Sequence, residues 1–304
     1  MVEMASPNVG RFAPAPTGPL HLGSLVAAVG SYLFARAAGG RWLVRIEDLD
    51  TLRVVRGADG EILEALNRYG LAWDGDPQYQ SRRTALYDAA LAHLRGSARL
   101  FDCGCSRSDL QRAGSAPLAA DSGTLLYPGT CRHGLPQGKE ARAVRFRVDA
   151  EIIAFDDLIH GRVEEELSSR TGDFVVKRAD GQFAYQLAVV VDDTEQRVTQ
   201  VVRGADLLSS TPRQIALQKA LGYPTPEYAH LPLVVGTDGA KVGKREGTLA
   251  LPTLDRDRVA ATLALALQIL GIPHARPGEP REMLEEALTR FAVYRVPTAS
   301  FVIG

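Results

Sequence analysis

The chain has 304 residues, of which 45% are hydrophobic and 23% are charged, and its formal net charge is −1. This composition is that of an ordinary globular protein, long enough for one large domain or two modest domains with a buried core. The near-zero charge excludes an overall electrostatic attraction to nucleic acid, so RNA binding would require a local basic patch.

Two further features bear on where the protein acts. Residues 1–10 lack the charged and then apolar pattern of a signal peptide, and the longest apolar stretch, Val259–Ile272, is too short to cross a bilayer. Three cysteines are an odd number, which disfavours a disulfide framework. We therefore expect a cytoplasmic protein.

Residues 1–100 have the pattern of a parallel sheet with crossover helices. Val9–Pro14 and Arg41–Ile46 are short apolar segments that predict buried strands. Between them, apolar residues at helical spacing predict a helix over Leu22–Ala38, and a further helix is predicted near Thr84–Leu94. Because a strand, a helix and a second strand in this order form a βαβ unit, we expect an α/β fold.

Residues 101–182 differ from the segments on either side of them. Residues 106–140 are rich in Ser, Gly, Pro and Ala and show no clear period, which predicts long loops. Alternation of polar and apolar residues returns at Ala143–Val148 and near Phe174–Arg178. We therefore predict a mixed or antiparallel α+β subdomain that is inserted into the fold.

Residues 183–250 return to the pattern of the parallel sheet. Phe183–Val191 and Thr199–Arg203 are apolar segments that predict two of its strands. A short apolar segment, Leu231–Val235, then leads into a basic loop. We interpret these residues as the second half of the fold that residues 1–100 begin.

Residues 251–304 predict a short helical region, since Arg256–Leu270 and Glu282–Tyr294 have amphipathic spacing. The predicted fold class is therefore α/β. It combines a Rossmann-like parallel sheet, an inserted α+β subdomain and a short C-terminal helical region.

The segment His21–Ser24 opens the first predicted helix after a turn rich in Pro and Gly. The N–H groups and the positive dipole of a helix N-terminus favour an anion such as a phosphate group. There the imidazole of His21 could form a hydrogen bond with an α-phosphate oxygen of ATP, and Gly23 would let an adenine ring approach the backbone. The alternative is an ordinary helix start that contains a histidine.

A basic loop, Lys241–Arg245, lies near the other end of the chain. Lys241 and Lys244 could neutralise the β- and γ-phosphates of ATP and the leaving pyrophosphate, alongside Mg²⁺. The loop falls short of a phosphate-binding Walker A pattern, because its glycine spacing is one residue short and Arg245 is neither Ser nor Thr. A solvated basic turn is the alternative.

The three cysteines, Cys103, Cys105 and Cys131, suggest a metal site. Thiolates bind Zn²⁺ strongly, and a structural zinc site has four tetrahedral ligands. On chemistry alone His133 is the expected fourth ligand, because histidine binds zinc far more often than tyrosine does. The alternative is three free thiols.

The segment Arg11–Ser24, with its long Pro-Ala-Pro-Thr-Gly-Pro-Leu-His-Leu-Gly run, resembles the HIGH signature of class I aminoacyl-tRNA synthetases in its glutamate-family form. Lys241–Arg245 resembles the KMSKS loop of the same family, and the resemblance covers residues 8–250. It implies a nucleotide fold with the inserted subdomain described above.

The resemblance also implies a role for individual residues. Those implied in ATP binding are Pro14, His21, Gly23, Ser24, Lys241 and Lys244. His21 and Lys244 would be the catalytic residues, acting through electrostatic stabilisation. One departure lies in this loop, because Gly243 stands where the family has a serine.

For L-glutamate, the resemblance implies a set of binding residues that carry charges of both signs. They are Arg11, Ala15, Glu47, Tyr185 and Arg203. Arginine pairs with carboxylates in bidentate geometry, and Glu47 could bind the ammonium group. Alternatives exist for two of them: Arg203 could form a surface ion pair with Asp206, and Tyr185 could pack in the core of an apolar strand. Ala15 departs from the serine that the family often has.

The cysteines have a counterpart in the shortened, queuosine-linked members of this family, whose zinc site has the form Cys-x-Cys and Tyr-x-x-x-Cys. This resemblance implies Tyr127 instead of His133 as the fourth ligand. The implied zinc ligands are then Cys103, Cys105, Tyr127 and Cys131.

The family's chemistry is the attack of the glutamate α-carboxylate on the α-phosphate of ATP, which yields glutamyl-adenylate without a covalent enzyme intermediate. Residues 245–304, which follow the second lysine, are too few for the anticodon-binding region of a full glutamyl-tRNA synthetase. The resemblance therefore implies that tRNA(Asp) carrying queuosine is the acceptor. Alternatives are a glutamyl-tRNA synthetase that charges tRNA(Glu) with a partner, a catalytically silent RNA-binding paralogue, and a small-molecule adenylating ligase.

Overall fold

The helices form mostly where apolar residues recur at helical spacing. The computed structural model describes residues 8–113, 125–240, 250–272 and 277–303. The helices in these residues are α1 (Leu22–Ala37), α2 (Ala58–Arg68), α3 (Thr84–Gly96), α4 (Arg107–Arg112), α5 (Leu167–Arg170), α6 (Tyr185–Glu195), α7 (Thr211–Leu221), α8 (Arg256–Ile269) and α9 (Pro280–Arg290). Within the same ranges, none of them has both the length and the apolar character needed to cross a membrane.

The strands are short. They are β1 (Val9–Phe12), β2 (Arg41–Ile46), β3 (Gln78–Tyr79), β4 (Leu100–Cys103), β5 (Ala143–Phe146), β6 (Ile152–Asp157), β7 (Gly161–Glu166), β8 (Phe174–Lys177), β9 (Gln200–Gly204), β10 (Glu227–Leu231), β11 (Val234–Val235) and β12 (Phe301–Val302).

Parallel pairing of the strands confirms the predicted α/β fold. β1 pairs with β2, and β2 with β3, all in parallel, while β10 lies between β9 and β6 and is parallel to both. The two groups of strands meet where the Thr199 N–H, just before β9, donates to the Val9 carbonyl at 3.0 Å. The α1 helix packs closely on this sheet, because a Cβ at Gly30 would lie only 2.4 Å from Leu231 Cδ1.

The middle of the chain contributes to two different sheets. β4, β5 and β8 form an antiparallel sheet, and β5 and β8 lie in the two segments whose alternation predicts strands. β6 and β7 form an antiparallel hairpin whose first strand joins the parallel sheet, since Asp157 is the register partner of Tyr228. The insertion therefore supplies one strand of the nucleotide fold, and the division of the chain into domains stays a prediction.

The predicted strand over Phe183–Val191 is wrong, because most of this segment lies in the α6 helix. Its residues from Gln186 to Asp193 are all buried. A helix that is buried on every side has no polar face and therefore no helical period in its sequence. The run of valines then favours a strand by propensity, and tertiary packing overrides that preference.

Candidate active site and cysteine cluster

A cavity of about 440 Å³ lies where β1, β2, β9 and β10 end. Open parallel sheets bind ligands at the carboxyl ends of their strands. The cavity is lined by every described residue of the expected ATP and glutamate sets: Arg11, Pro14, Ala15, His21, Gly23, Ser24, Glu47, Tyr185 and Arg203. The fold therefore brings together segments that are almost 200 positions apart in the chain.

The turn before α1 is held by its own backbone and by β2. The Glu47 N–H donates to the Pro14 carbonyl at 2.9 Å, and the Thr17 N–H donates to the Ala15 carbonyl at 2.8 Å. Gly18 has a φ of +131°, which lies outside the range that other residues adopt readily. These bonds fix the path of the chain that leads from β1 to His21.

His21 is the N-cap of α1, and its Nδ1 accepts a hydrogen bond from the Ser24 N–H at 3.3 Å. In a neutral imidazole only one nitrogen carries a proton, so this bond places the proton on Nε2. Nε2–H is then a donor suited to a phosphate oxygen at the helix N-terminus. The structure also favours glycine at position 23, because a Cβ there would lie only 3.2 Å from the His21 ring.

Two adjacent carboxylates in α6 support the arginines of this region, and the sequence analysis missed both. Asp193 accepts hydrogen bonds from Arg45 Nη1 at 2.8 Å and from Arg11 Nε at 3.2 Å. Asp192 accepts from Arg83 Nε at 2.6 Å. Burial would raise the pKa of Asp193, but Arg11 and Arg45 lower it overall, so its carboxylate stays ionised. Two aspartates directly after a run of three valines are the signal that could have revealed them.

Glu47 lies beside this group of charges at the cavity wall. Its Oε1 accepts a hydrogen bond from Arg45 Nη2 at 3.4 Å. Burial raises the pKa of Glu47 to about 7, although Arg45 and Arg11 oppose the shift. A cation that enters the cavity favours the ionised form of this carboxyl group. Glu47 is therefore suited to binding an ammonium group.

Arg203 is buried, so the alternative of a surface ion pair is wrong. Its Nη2 donates to Thr211 Oγ1 at 2.8 Å, its Nε to His230 Nε2 at 3.1 Å, and its Nη1 to the Tyr185 hydroxyl at 3.4 Å. Tyr185 lies at the start of a helix and lines the cavity, so the alternative of packing within a strand is wrong too. His230 and Thr211 were not recognised in the sequence.

The lysines of the basic loop, Lys241 and Lys244, lie outside the described residues. Described residues before and after the loop lie near the cavity or the histidine turn. Val234 lines the cavity, and the Leu251 N–H donates to the Leu20 carbonyl at 3.0 Å, next to His21. Described residues on either side of this segment, Val234 and Leu251, therefore lie near the cavity or the histidine turn.

The cysteine cluster lies in a small hydrophobic core between β4 and the loop that precedes β5. The sulfur atoms of Cys103, Cys105 and Cys131 all lie within 4.8 Å of one another, and those of Cys105 and Cys131 are 3.6 Å apart. Tetrahedral zinc with bonds of about 2.3 Å would separate its sulfur ligands by about 3.8 Å. The three thiols therefore have the spacing that a metal site needs.

Tyr127 is the oxygen-bearing neighbour of this cluster. Its hydroxyl lies 3.7 Å from Cys103 Sγ and accepts a hydrogen bond from the Cys131 N–H at 2.6 Å. His133 is exposed instead, and it does not belong to the group of residues that could share a metal in the described part of the chain. Of these two candidate residues, Tyr127 is the one that lies beside the thiols.

The guanidinium group of Arg145 lies against the cysteine cluster and affects the charge of its thiols. The Arg145 guanidinium lies 3.9 Å from the centre of the Tyr127 ring, and its Nε is 3.3 Å from Cys103 Sγ. Burial would raise the pKa of Cys103, but the Cys105 backbone N–H and Arg145 lower it overall. Burial and the neighbouring thiols raise the pKa of Cys105 to about 12. A bound metal ion would be needed to deprotonate that thiol at neutral pH.

Residues 9–289 match the family model described as tRNA synthetases class I (E and Q), catalytic domain. The chain belongs to this family of class I synthetases. Two curated relatives are named Glutamyl-Q tRNA(Asp) synthetase. The one from Geobacter sulfurreducens is 54% identical over 301 residues, which are 97% of this chain and 95% of the relative. The one from Thiobacillus denitrificans is 55% identical over 295 residues, 95% of each chain.

A solved structure gives the same family and fold. The glutamate tRNA ligase from Elizabethkingia meningosepticum, crystallised in complex with its amino acid, is 28% identical with a TM-score of 0.81. The match covers 98% of this chain and 67% of that one. The family that the motifs predict, the α/β fold class and the ligase type of enzyme are thus confirmed.

Proposed function

We propose that the protein activates L-glutamate with ATP, without tRNA, and then transfers the glutamate to the queuosine base in the anticodon loop of tRNA(Asp). One observation carries the first step: the expected phosphate-binding turn and the expected glutamate-binding charges line one cavity. Relatives that match almost the whole chain and are named Glutamyl-Q tRNA(Asp) synthetase support the second step. Since ATP and tRNA are cytoplasmic substrates, we place the reaction in the cytoplasm.

In the activation step, Glu47 binds the ammonium group of glutamate, and Arg11 and Arg203 bind carboxylate. Tyr185 contributes its hydroxyl, while Ala15 offers its backbone amide. The α-carboxylate then attacks the α-phosphate, a new P–O bond forms, and pyrophosphate leaves. Catalysis consists of positioning and charge stabilisation, because no side chain has to form a covalent bond.

His21 donates from Nε2 to an α-phosphate oxygen as negative charge rearranges in the transition state. Pro14, Gly23 and Ser24 form the surrounding wall for the nucleotide. Lys241 and Lys244 neutralise the pyrophosphate portion together with the Mg²⁺ that accompanies ATP. The position of Val234 at the cavity and the hydrogen bond from the Leu251 N–H to the Leu20 carbonyl support this role.

We further propose that the cysteine cluster binds zinc with Cys103, Cys105, Tyr127 and Cys131 as ligands. The spacing of the thiols and the position of the Tyr127 hydroxyl support this set. Zinc in such a closed site would supply structural stability, because four protein ligands leave no position for a substrate.

The test of the function uses purified protein in two assays. Glutamate-dependent ATP–pyrophosphate exchange without tRNA measures the activation step, and labelled glutamate measures transfer to tRNA(Asp) with queuosine, to tRNA(Asp) without it, and to tRNA(Glu). We expect exchange without tRNA and labelling of the queuosine-containing tRNA(Asp) alone. Background exchange would favour a silent paralogue, and labelling of tRNA(Glu) would favour a glutamyl-tRNA synthetase that needs a partner.

A further inference from the structure

The side chain of Arg203 forms hydrogen bonds with buried protein groups in addition to its proposed role in substrate binding. It lies on β9 opposite His230 on β10, since the two residues are register partners in parallel strands. His230 is completely buried, and Asp157 at the end of β6 is nearly so. Three neighbouring strands therefore contribute one side chain each to a row that ends at the cavity.

The row is continuous in hydrogen bonds. Asp157 Oδ2 lies 2.6 Å from His230 Nδ1, and Arg203 Nε donates to His230 Nε2 at 3.1 Å. Asp157 Oδ1 is itself fixed, because it accepts from the backbone N–H groups of Ile159 at 3.0 Å and His160 at 2.9 Å. Nothing in the row depends on an exposed side chain.

The direction of these bonds determines the state of the imidazole. A guanidinium group only donates, so Nε2 of His230 must accept from Arg203 and cannot carry a proton. The single proton of the neutral ring is then on Nδ1 and is donated to Asp157. Burial lowers the pKa of His230, as does Arg203, although Asp157 opposes the shift, which agrees with a neutral ring.

We propose that Asp157 and His230 are positioning residues for the amino-acid substrate, an inference that rests on the proposed function. Asp157 selects the imidazole tautomer whose Nε2 accepts from Arg203. Together with Thr211, which accepts from Nη2 at 2.8 Å, His230 fixes one edge of the guanidinium. The remaining nitrogen, Nη1, then faces Tyr185 and the cavity, where it can bind a substrate carboxylate without a prior rearrangement.

The substitution Asp157→Asn tests the tautomer. The amide oxygen can keep the two backbone bonds, but the amide nitrogen then faces His230 Nδ1 as a donor. The imidazole proton would then move to Nε2, the same change of tautomer that follows when the aspartate of a catalytic triad becomes asparagine. There it would face the N–H donor of Arg203. We expect the KM for glutamate to rise roughly 10-fold or more, the scale of one hydrogen bond to a charged group, with the KM for ATP unchanged.

A pair of substitutions at His230 separates positioning from packing. The His230→Gln amide reaches the position of Nε2 and can accept from Arg203, whereas the shorter His230→Asn amide reaches only Nδ1. We expect the glutamine variant to stay within about threefold of the wild-type KM for glutamate, and the asparagine variant to rise roughly 10-fold. Adding Asp157→Asn to His230→Gln should change little more, since no tautomer remains to be selected.

The measurement is ATP–pyrophosphate exchange with both substrates varied in turn, together with the thermal midpoint of each variant. If Asp157→Asn does not fold, the two variants at position 230 decide. A glutamate KM that is unchanged in Asp157→Asn, or equal impairment by glutamine and asparagine at position 230, would overturn the positioning role. A wild-type protein without exchange would instead contradict the proposed function.

Discussion

The cavity proposed as the active site draws its charged side chains from residues 11 to 206, whereas the cysteine cluster uses residues 103 to 131. In the cavity, each arginine depends on a buried partner from a distant element, such as Asp193 in α6 for Arg11. In the cluster, the sulfur atoms are brought together by one strand and the loop that packs on it. Changes to the buried charge pairs that hold these arginines should therefore affect stability and substrate binding together, while changes in the cluster should act locally.

The largest effect is expected for Asp193→Ala, which tests how far the cavity depends on distant partners. The substitution leaves the buried guanidinium groups of Arg11 and Arg45 without their shared carboxylate. We expect the free energy of unfolding to fall by roughly 3–5 kcal/mol, the range for breaking a buried pair, as measured by urea denaturation. The matched control is Asp88→Ala, whose exposed pair with Lys177 should contribute less than about 1 kcal/mol.

The substitution of His21 should have the next largest effect, on catalysis alone. His21→Asn keeps an acceptor for the Ser24 N–H and thus the helix cap, but it removes the Nε2 donor. We expect ATP–pyrophosphate exchange to fall on the order of 100-fold, as it should for Lys244→Ala. The exposed histidine of α3 supplies the control, His93→Ala, which should exchange as the wild type does. Exchange by His21→Asn within a few-fold of wild type would remove the proposed phosphate contact.

The pH dependence of glutamate binding tests the charge on Glu47. Its pKa is raised to about 7, and a carboxyl group is neutral below its pKa, so the site for ammonium weakens as the pH falls. We expect the KM for glutamate to rise about tenfold per pH unit below pH 7, measured by exchange between pH 5.5 and 8. Glu47→Gln should have a high KM with no such slope. A sloping profile in that variant would assign the titration to another group.

Substitutions in the cysteine cluster should change metal binding strongly and ATP–pyrophosphate exchange very little. This difference would show that the cluster and the cavity act separately. Cys131→Ser should lose most of its bound zinc, and Tyr127→Phe should weaken zinc binding roughly 10-fold, measured by metal analysis and chelator competition. Exchange should change by less than about twofold in Tyr127→Phe, because its site is separate from the cavity. His133→Ala is the control and should retain its zinc. Loss of zinc from that control with full retention by Tyr127→Phe would reverse the ligand assignment.

The errors of the sequence analysis are concentrated where burial is complete. The segment from Phe183 to Val191 has no helical period in its sequence, because the helix is covered on all sides. The helix was therefore not predicted, and neither was the supporting role of Asp192 and Asp193 near its end. Asp157, which the sequence analysis did not single out, lies in the predicted insertion at the end of β6, a strand that joins the parallel sheet. The roles of these buried aspartates leave no pattern in the nearby sequence, because their side-chain hydrogen-bond partners lie far away in the chain.

The sequence by itself determined the path of the histidine turn into α1, the cysteine spacing and the first βαβ unit, because each depends mostly on residues close together in the chain. The family resemblance added a predicted set of substrate-binding residues. Only the tertiary structure decided which carboxylates hold the arginines, that Tyr127 instead of His133 lies at the thiols, and that His230 and Asp157 support Arg203. Those contacts depend on the packing of separate strands and helices, and packing is a property of the whole fold.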